Sequence, residues 1–254
     1  SSMAVSSPTR GILAGGYTST WFSSIDFFTI ASKGNGTFFG ELTTERRAGG
    51  RASNAVRGIF AGGAQGPGPA YVSNIDYVTI ASAGNAIHFG DLTYSDTLYA
   101  VGTSNQTRGI WAGGRTPSNR NEIDFITMAS AGDAVDFGDL ATARQWPGGL
   151  SDSTRALFFG GNAPSYTNNI EFITMATTGN GTDFGDMTLV RQITSGAGSK
   201  TRGLMAGGQV PSGPNTNAIN YVTIQSIGNA ADFGDLLVKT HEMSGSSDSH
   251  GGLE

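Results

Sequence analysis

The sequence contains no cysteine, so no disulfide staples it and no thiolate can hold a metal. Charge is scarce. Charged residues make up 14% of 254, and the net charge of −5 offers no basic surface of the kind that tracks a phosphate backbone. Nucleic acid is therefore not an expected partner. No run approaches the roughly 18–20 apolar residues that cross a bilayer, so membrane insertion is not expected, and no signal peptide is visible. His88, His241 and His250 stand in unrelated contexts, without Ser-His-Asp order or zinc-ligand spacing. Apolar residues nowhere follow a helical period. Cofactor motifs are missing, and no cofactor, metal ion or catalytic constellation is expected.

What the chain does have is glycine, 39 residues of it, in a pattern that occurs five times. Short apolar runs end in Gly15-Gly16, Gly62-Gly63, Gly113-Gly114, Gly160-Gly161 and Gly207-Gly208. An arginine precedes each pair: Arg10, Arg57, Arg108, Arg155 and Arg202. These arginines are 47, 51, 47 and 47 residues apart. A unit of that size cannot bury its apolar face alone, so it must stack on its neighbours.

Each unit reads as four short strands. In the fourth, the run from Arg155 is too short for a helix and is stopped by glycines. A turn-rich stretch follows. Ile170-Glu171-Phe172-Ile173-Thr174-Met175 then alternates β-branched and aromatic residues, as a strand does. A Gly-Asn turn leads to Asp183-Phe184-Gly185-Asp186-Met187, and small residues lead to the next arginine. The Asp-Phe-Gly triplets at 136–138, 183–185 and 232–234 match a kinase metal motif by letter only, since none of its companion motifs is present.

Four strands at this period describe a β-propeller blade. The unit resembles the kelch repeat, with an apolar strand ending in a Gly pair, a variable loop, a strand carrying an aromatic and an acid, and an aromatic shortly before a leucine. The aromatic is Phe here, where that family usually has Trp. The resemblance implies a single all-β domain over 4–252, a five-bladed β-propeller. Its four-stranded blades lie near 10–47, 48–99, 100–146, 147–193 and 194–240. Kelch propellers include enzymes, adaptors and lectins, so the fold leaves the function open. The wording "IDYVTIASAGNA…FGDLT" is also similar to repeats in bacteriophage tail and structural proteins. That similarity implies a virion or extracellular setting and a surface that binds host or glycan.

The serine-rich stretch 244–249 has the register of the inner strands and is expected to close the first blade, because the competing residues 3–8 contain Pro8, which cannot donate to a ladder. Residues 1–3 and 253–254 have the character of cloning remnants. The repeated arginines could form a ring of positive charge, or pair with acids such as Asp139 or Asp186; repetition in every unit favours the structural pairing. The acids Asp26, Asp76, Asp124 and Glu171, with Asn220 breaking the series, read as structural hydrogen-bonding groups and not as a metal site.

Function is expected where repetition fails, on loops held by a rigid scaffold. The loops after the Gly pairs and the connections after each Phe-Gly-acid-Leu emerge on one face of a propeller. They carry Trp21, Phe22, Tyr71, Tyr94, Tyr99, Arg115, Trp146, Tyr166 and Asn215, the candidate ligand-binding set. Flat rings cover the C–H faces of sugars, while amides and guanidinium groups bind hydroxyls. The expected function is a monomeric, non-enzymatic binding or scaffold domain that recognises host-surface carbohydrate. A virion decoration or assembly protein that docks another protein is the alternative. A glycan-cleaving enzyme would need paired carboxylates drawn from Glu45, Asp96 and Glu242.

Overall fold

The computed structural model describes residues 2–66, 70–94, 98–211, 213 and 215–247. All regular structure among them is β, in five four-stranded antiparallel sheets and one small three-stranded sheet. The first large sheet comprises Met3–Ser6, Arg10–Tyr17, Trp21–Thr29 and Thr37–Glu41. The second comprises Gly50–Ser53, Arg57–Ala61, Asn74–Thr79 and Ile87–Asp91. Val101–Ser104, Gly148–Ser151 and Ser195–Gly198 begin the other three as their inner strands. Inner strands of consecutive units touch. Together they line a common channel, giving a propeller-like arrangement.

The core lies between sheets. Each sheet presents one apolar face to the next, as in Ile12, Ile25, Phe39 and Leu42 of unit one against Phe60, Val78 and Ile80 of unit two. The same layer recurs between units two and three, three and four, and four and five. Every unit carries a β-bulge beside its acid or, in unit five, Asn220: in unit two Ile75 and Asp76 pair with Gly90 and His88, so that Phe89 of the outer strand is the extra residue.

Among the described residues the repeated arginine does not pair with an acid. Arg10, Arg57, Arg108 and Arg155 donate to the carbonyls of Ile80, Met128, Met175 and Ile224 in the following unit. Each lies over an aromatic ring of its own unit, 4.5–4.8 Å from the centroid. Three of the strand acids, Asp76, Asp124 and Glu171, are structural, as expected, whereas Asp26 is exposed and has no hydrogen-bond partner among the described residues. Thr43 donates its N–H and hydroxyl to Asp76, and Thr93 does the same to Asp124. Arginines of the connections complete the pattern: Arg46 pairs with Asp76 at 2.7 Å, Arg144 with Glu171, and Arg191 with the Asn220 side chain.

Asp124 is buried, but no arginine among the described residues pairs with it. Burial first, then Asp136 and Glu122, raise its pKa, while hydrogen bonds from Thr93 oppose the shift. Its proton is therefore held more tightly in the folded chain. The stability this contributes is present at acid pH and lost as pH rises through the folded pKa. Asn220 fills the same position in unit five and accepts both bonds from Thr188. Asp124→Asn is expected to raise the melting temperature at pH 7, with a gain over the parent that shrinks as melts are taken toward pH 4.

One expectation, the strand that closes the first sheet, is corrected. The first sheet is closed by the N-terminal strand: Met3 to Ser6 pair with Ala14 to Gly11. Pro8 falls in the turn after this strand, where its missing donor costs nothing. Met3 is 1% exposed and belongs to the core. Residues 244–247 carry no strand and lie beside the first sheet; 248 and 249 lie outside the described residues.

Candidate functional site at the channel mouth

The Gly pairs set up the site. The first glycine of each has φ between 59 and 65°, the second between 101 and 135°, which side chains rarely adopt. In units three, four and five the second donates its N–H to the connection that follows, Gly114 to Arg144, Gly161 to Arg191 and Gly208 to Thr240. Every connection, whether or not it is held in this way, places one residue at the channel mouth in the left-handed region: Ala48, Tyr99, Trp146, Ile193 and Glu242, at φ 55–64°. None is glycine. Bulky residues there carry roughly 1–3 kcal/mol of strain each. The backbone explains the recurrence. Tyr99 donates its N–H to Ala48, Trp146 to Tyr99 and Ile193 to Trp146, a collar of bonds passing from unit to unit.

The collar surrounds a cavity of about 140 Å³ lined by Arg47, Arg51, Tyr99, Trp146, Ile193 and Glu242. The rings of Tyr99 and Trp146 pack with centroids 4.5 Å apart. Arg47 leads from the mouth to a second aromatic pair, its guanidinium 5.1 Å from Tyr17 and 5.2 Å from Trp21, whose rings are 5.3 Å apart. Burial raises the pKa of Tyr99, with Arg47 opposing the shift and Tyr71 and Glu242 adding to it, so its hydroxyl stays protonated at neutral pH.

Arg51 forms the floor. At its level in the inner strands the other units have Ala4, Gly102, Gly149 and Gly196, and 245 is also glycine. One guanidinium therefore enters a channel otherwise walled by backbone and small side chains. Burial lowers the Arg51 pKa, and no carboxylate or carbonyl among the described residues pairs with it. Its surface accessibility is intermediate, which fits a cation deep inside a channel that still admits solvent. Such a cation is unfavourable alone and is stabilised by an anion.

Of the nine candidates, Tyr99 and Trp146 line the mouth with Arg47, and Trp21 lies 5.2 Å from the Arg47 guanidinium. Tyr71 and Arg115 lie near enough to Tyr99 to act on its hydroxyl electrostatically. Phe22 is 37% exposed on the first unit's hairpin, opposite Gly16. Tyr94 is buried under the Arg120 guanidinium. Tyr166 exchanges hydrogen bonds with Gln192 and Gln209, and Asn215 bridges Gln209. These last three hold loops together. Arg51 was not expected, although its signal was legible: it is the one large side chain at an inner-strand position that is otherwise glycine or alanine.

Glu242 stands on the collar, whereas Glu45 lies beside Gly66; Asp96 is outside the described residues. Among the described residues no three His, Asp or Glu side chains converge as metal ligands, and no helix is long and apolar enough to cross a membrane. The sequence matches no protein-family model, and no curated protein is significantly similar to it.

Proposed function

We propose that this chain is a non-enzymatic, propeller-type binding module, to which its repeats contribute five four-stranded blades, and that it takes a carbohydrate bearing an acidic group at the channel mouth. The observation that carries this reading is the Tyr99–Trp146 pair on a strained collar, above a cavity whose floor is the unpaired Arg51. The rings offer a stacking wall for sugar C–H faces, Glu242 an acceptor for hydroxyls, and Arg51 a planar fork for a carboxylate. Strain concentrated at one ring of positions, where the largest side chains differ most between units, suits a ligand site better than a packing role. The setting we propose, a virion surface or tail protein contacting host glycan, rests on the wording of the repeat.

A glycan array tests the reading. Retention of uronate- or sialate-bearing glycans above their neutral counterparts is expected, with the preference for acid lost in Arg51→Gln. No retention of any glycan would contradict it.

A further inference from the structure

One interface is built four times between successive units. On its trailing side each unit contributes the arginine that reaches the next unit's carbonyl, the buried phenylalanine and glycine of Phe-Gly-acid, and the connection that donates to the next unit's strand acid. On its leading side each contributes that acid, an apolar strand, and a turn whose Asn or Asp accepts the outer-strand amide: Asn85, Asp133, Asn180 and Asn229 accept from Glu41, Asp91, Asp139 and Asp186. The turn approaches so closely that a Cβ on Gly138 or Gly185 would strike the backbone of Gly179 or Gly228.

Between unit five and unit one neither half is made. Arg202 is exposed and no carbonyl among the described residues receives it. Phe233 is 49% exposed, where Phe39, Phe89, Phe137 and Phe184 are at most 3%. Gly234 faces open space, and Leu237 and Val238 are bare. On unit one, Leu13, Phe28 and Ile30 are 40–53% exposed, while their counterparts Phe60, Val78 and Ile80 are at most 3%. Asp26 is exposed, and neither it nor Asn35 has a hydrogen-bond partner among the described residues.

Residues 244–247 occupy the place of a sixth inner strand. A Cβ on Gly245 would meet the backbone of Gly196, as one on Gly196 would meet Gly149. Ser247 accepts from the Gly198 amide, the Ser246 and Ser6 hydroxyls are 2.7 Å apart, and Ser244 donates to the Ser2 carbonyl. Outside this segment remains an apolar cleft of about 450 Å³, lined by Val5, Pro8, Leu13, Phe28, Ile30 and Ser246.

We propose that the gap between units five and one, which 244–247 span as a single inner segment and which this cleft opens on the side of unit one, is a docking site for a partner polypeptide that supplies three antiparallel strands built to the pattern of this chain's own repeats. The two walls require it jointly. Toward unit five the occupant must offer a strand-end carbonyl to Arg202, an Asn or Asp turn to the Asp235 amide and an acid or Asn to the Leu237 amide. Toward unit one it must offer a Phe-Gly-acid-Leu strand and a donor for Asp26. A single added strand meets neither wall completely, and a helix has no free backbone groups to offer. A second copy of the whole chain would bring its own inner strand into the space already held by 244–247.

The test mixes the full-length chain with a polypeptide of the sequence of residues 200–243. A 1:1 complex is expected, raising the melting temperature by roughly 5–10 °C at a hundredfold excess over Kd. Leu237→Asp in the full-length chain alters a bare residue, so it should leave the chain's own melt unchanged and weaken the complex at least about tenfold. Because a lone repeat buries its apolar face poorly, the same segment is also joined in register after residue 249, where a rise in melting temperature of similar size is expected. Absence of both the complex and the rise would overturn the proposal. So would equal binding by Leu237→Asp, or self-association of the full chain that protects Leu237.

Discussion

Asp76→Ala is expected to destabilise the fold by about 3–5 kcal/mol, a fall in melting temperature of roughly 6–20 °C. Asp76 and Arg46 are both 0% exposed and lie 2.7 Å apart. Arg46 also donates to the carbonyls of Phe60 and Asn74, and Asp76 accepts two bonds from Thr43. Removing the carboxylate leaves a guanidinium buried against carbonyls alone and strands the Thr43 donors. Burial already depresses the pKa of Arg46, with Asp76 opposing that shift, so the penalty falls on a cation that burial disfavours. The repeat supplies its own control. Asp26 has the same place in the motif, yet it is exposed and has no hydrogen-bond partner among the described residues. Asp26→Ala should change stability by no more than about 0.5 kcal/mol. Thermal or urea melts of the two variants check this, and equal effects would mean that the strand acids do not fasten the sheets.

Trp146→Gly should weaken acidic-glycan binding by roughly 30-fold or more, the loss typical of a central aromatic anchor. It should do so without unfolding the protein. Trp146 has φ 55°, which glycine adopts freely, so relief of strain offsets the packing lost with Tyr99. Paired melts and titrations separate the two effects. Unchanged affinity would remove the aromatic wall from the site. A collapse in melting temperature would make Trp146 a packing residue.

The four-stranded unit was legible because its signals are local and repeated: an arginine, a Gly pair, a strand with an acid, and Phe-Gly-acid-Leu. The partner of the arginine was not. A guanidinium can meet a carbonyl as well as a carboxylate, and only the stacking of sheets puts Ile80 in front of Arg10. The closure was misjudged for a related reason. Pro8 was weighed as if it lay in the ladder, but pairing ends at Ser6. Residues 244–247 do share the inner-strand register, yet register fixes which place in the pattern a segment fills and not which sheet it joins. At the mouth, Tyr99 and Trp146 stood out as departures from the repeat. Arg47 lies in a connection and Arg51 inside an inner strand, and neither is among the residues the sequence singles out. The left-handed collar follows from bonds between units, which no single unit displays.

The central claim is that the repeats build the scaffold and one irregular site binds. Counting ligands per chain tests it most directly, by calorimetric titration with the acidic glycan best retained on the array. One ligand per chain is expected, with binding sharply weakened in Trp146→Gly and Arg51→Gln. Four or five ligands per chain, unaffected by either substitution, would place binding in the repeated spaces between units and contradict the account.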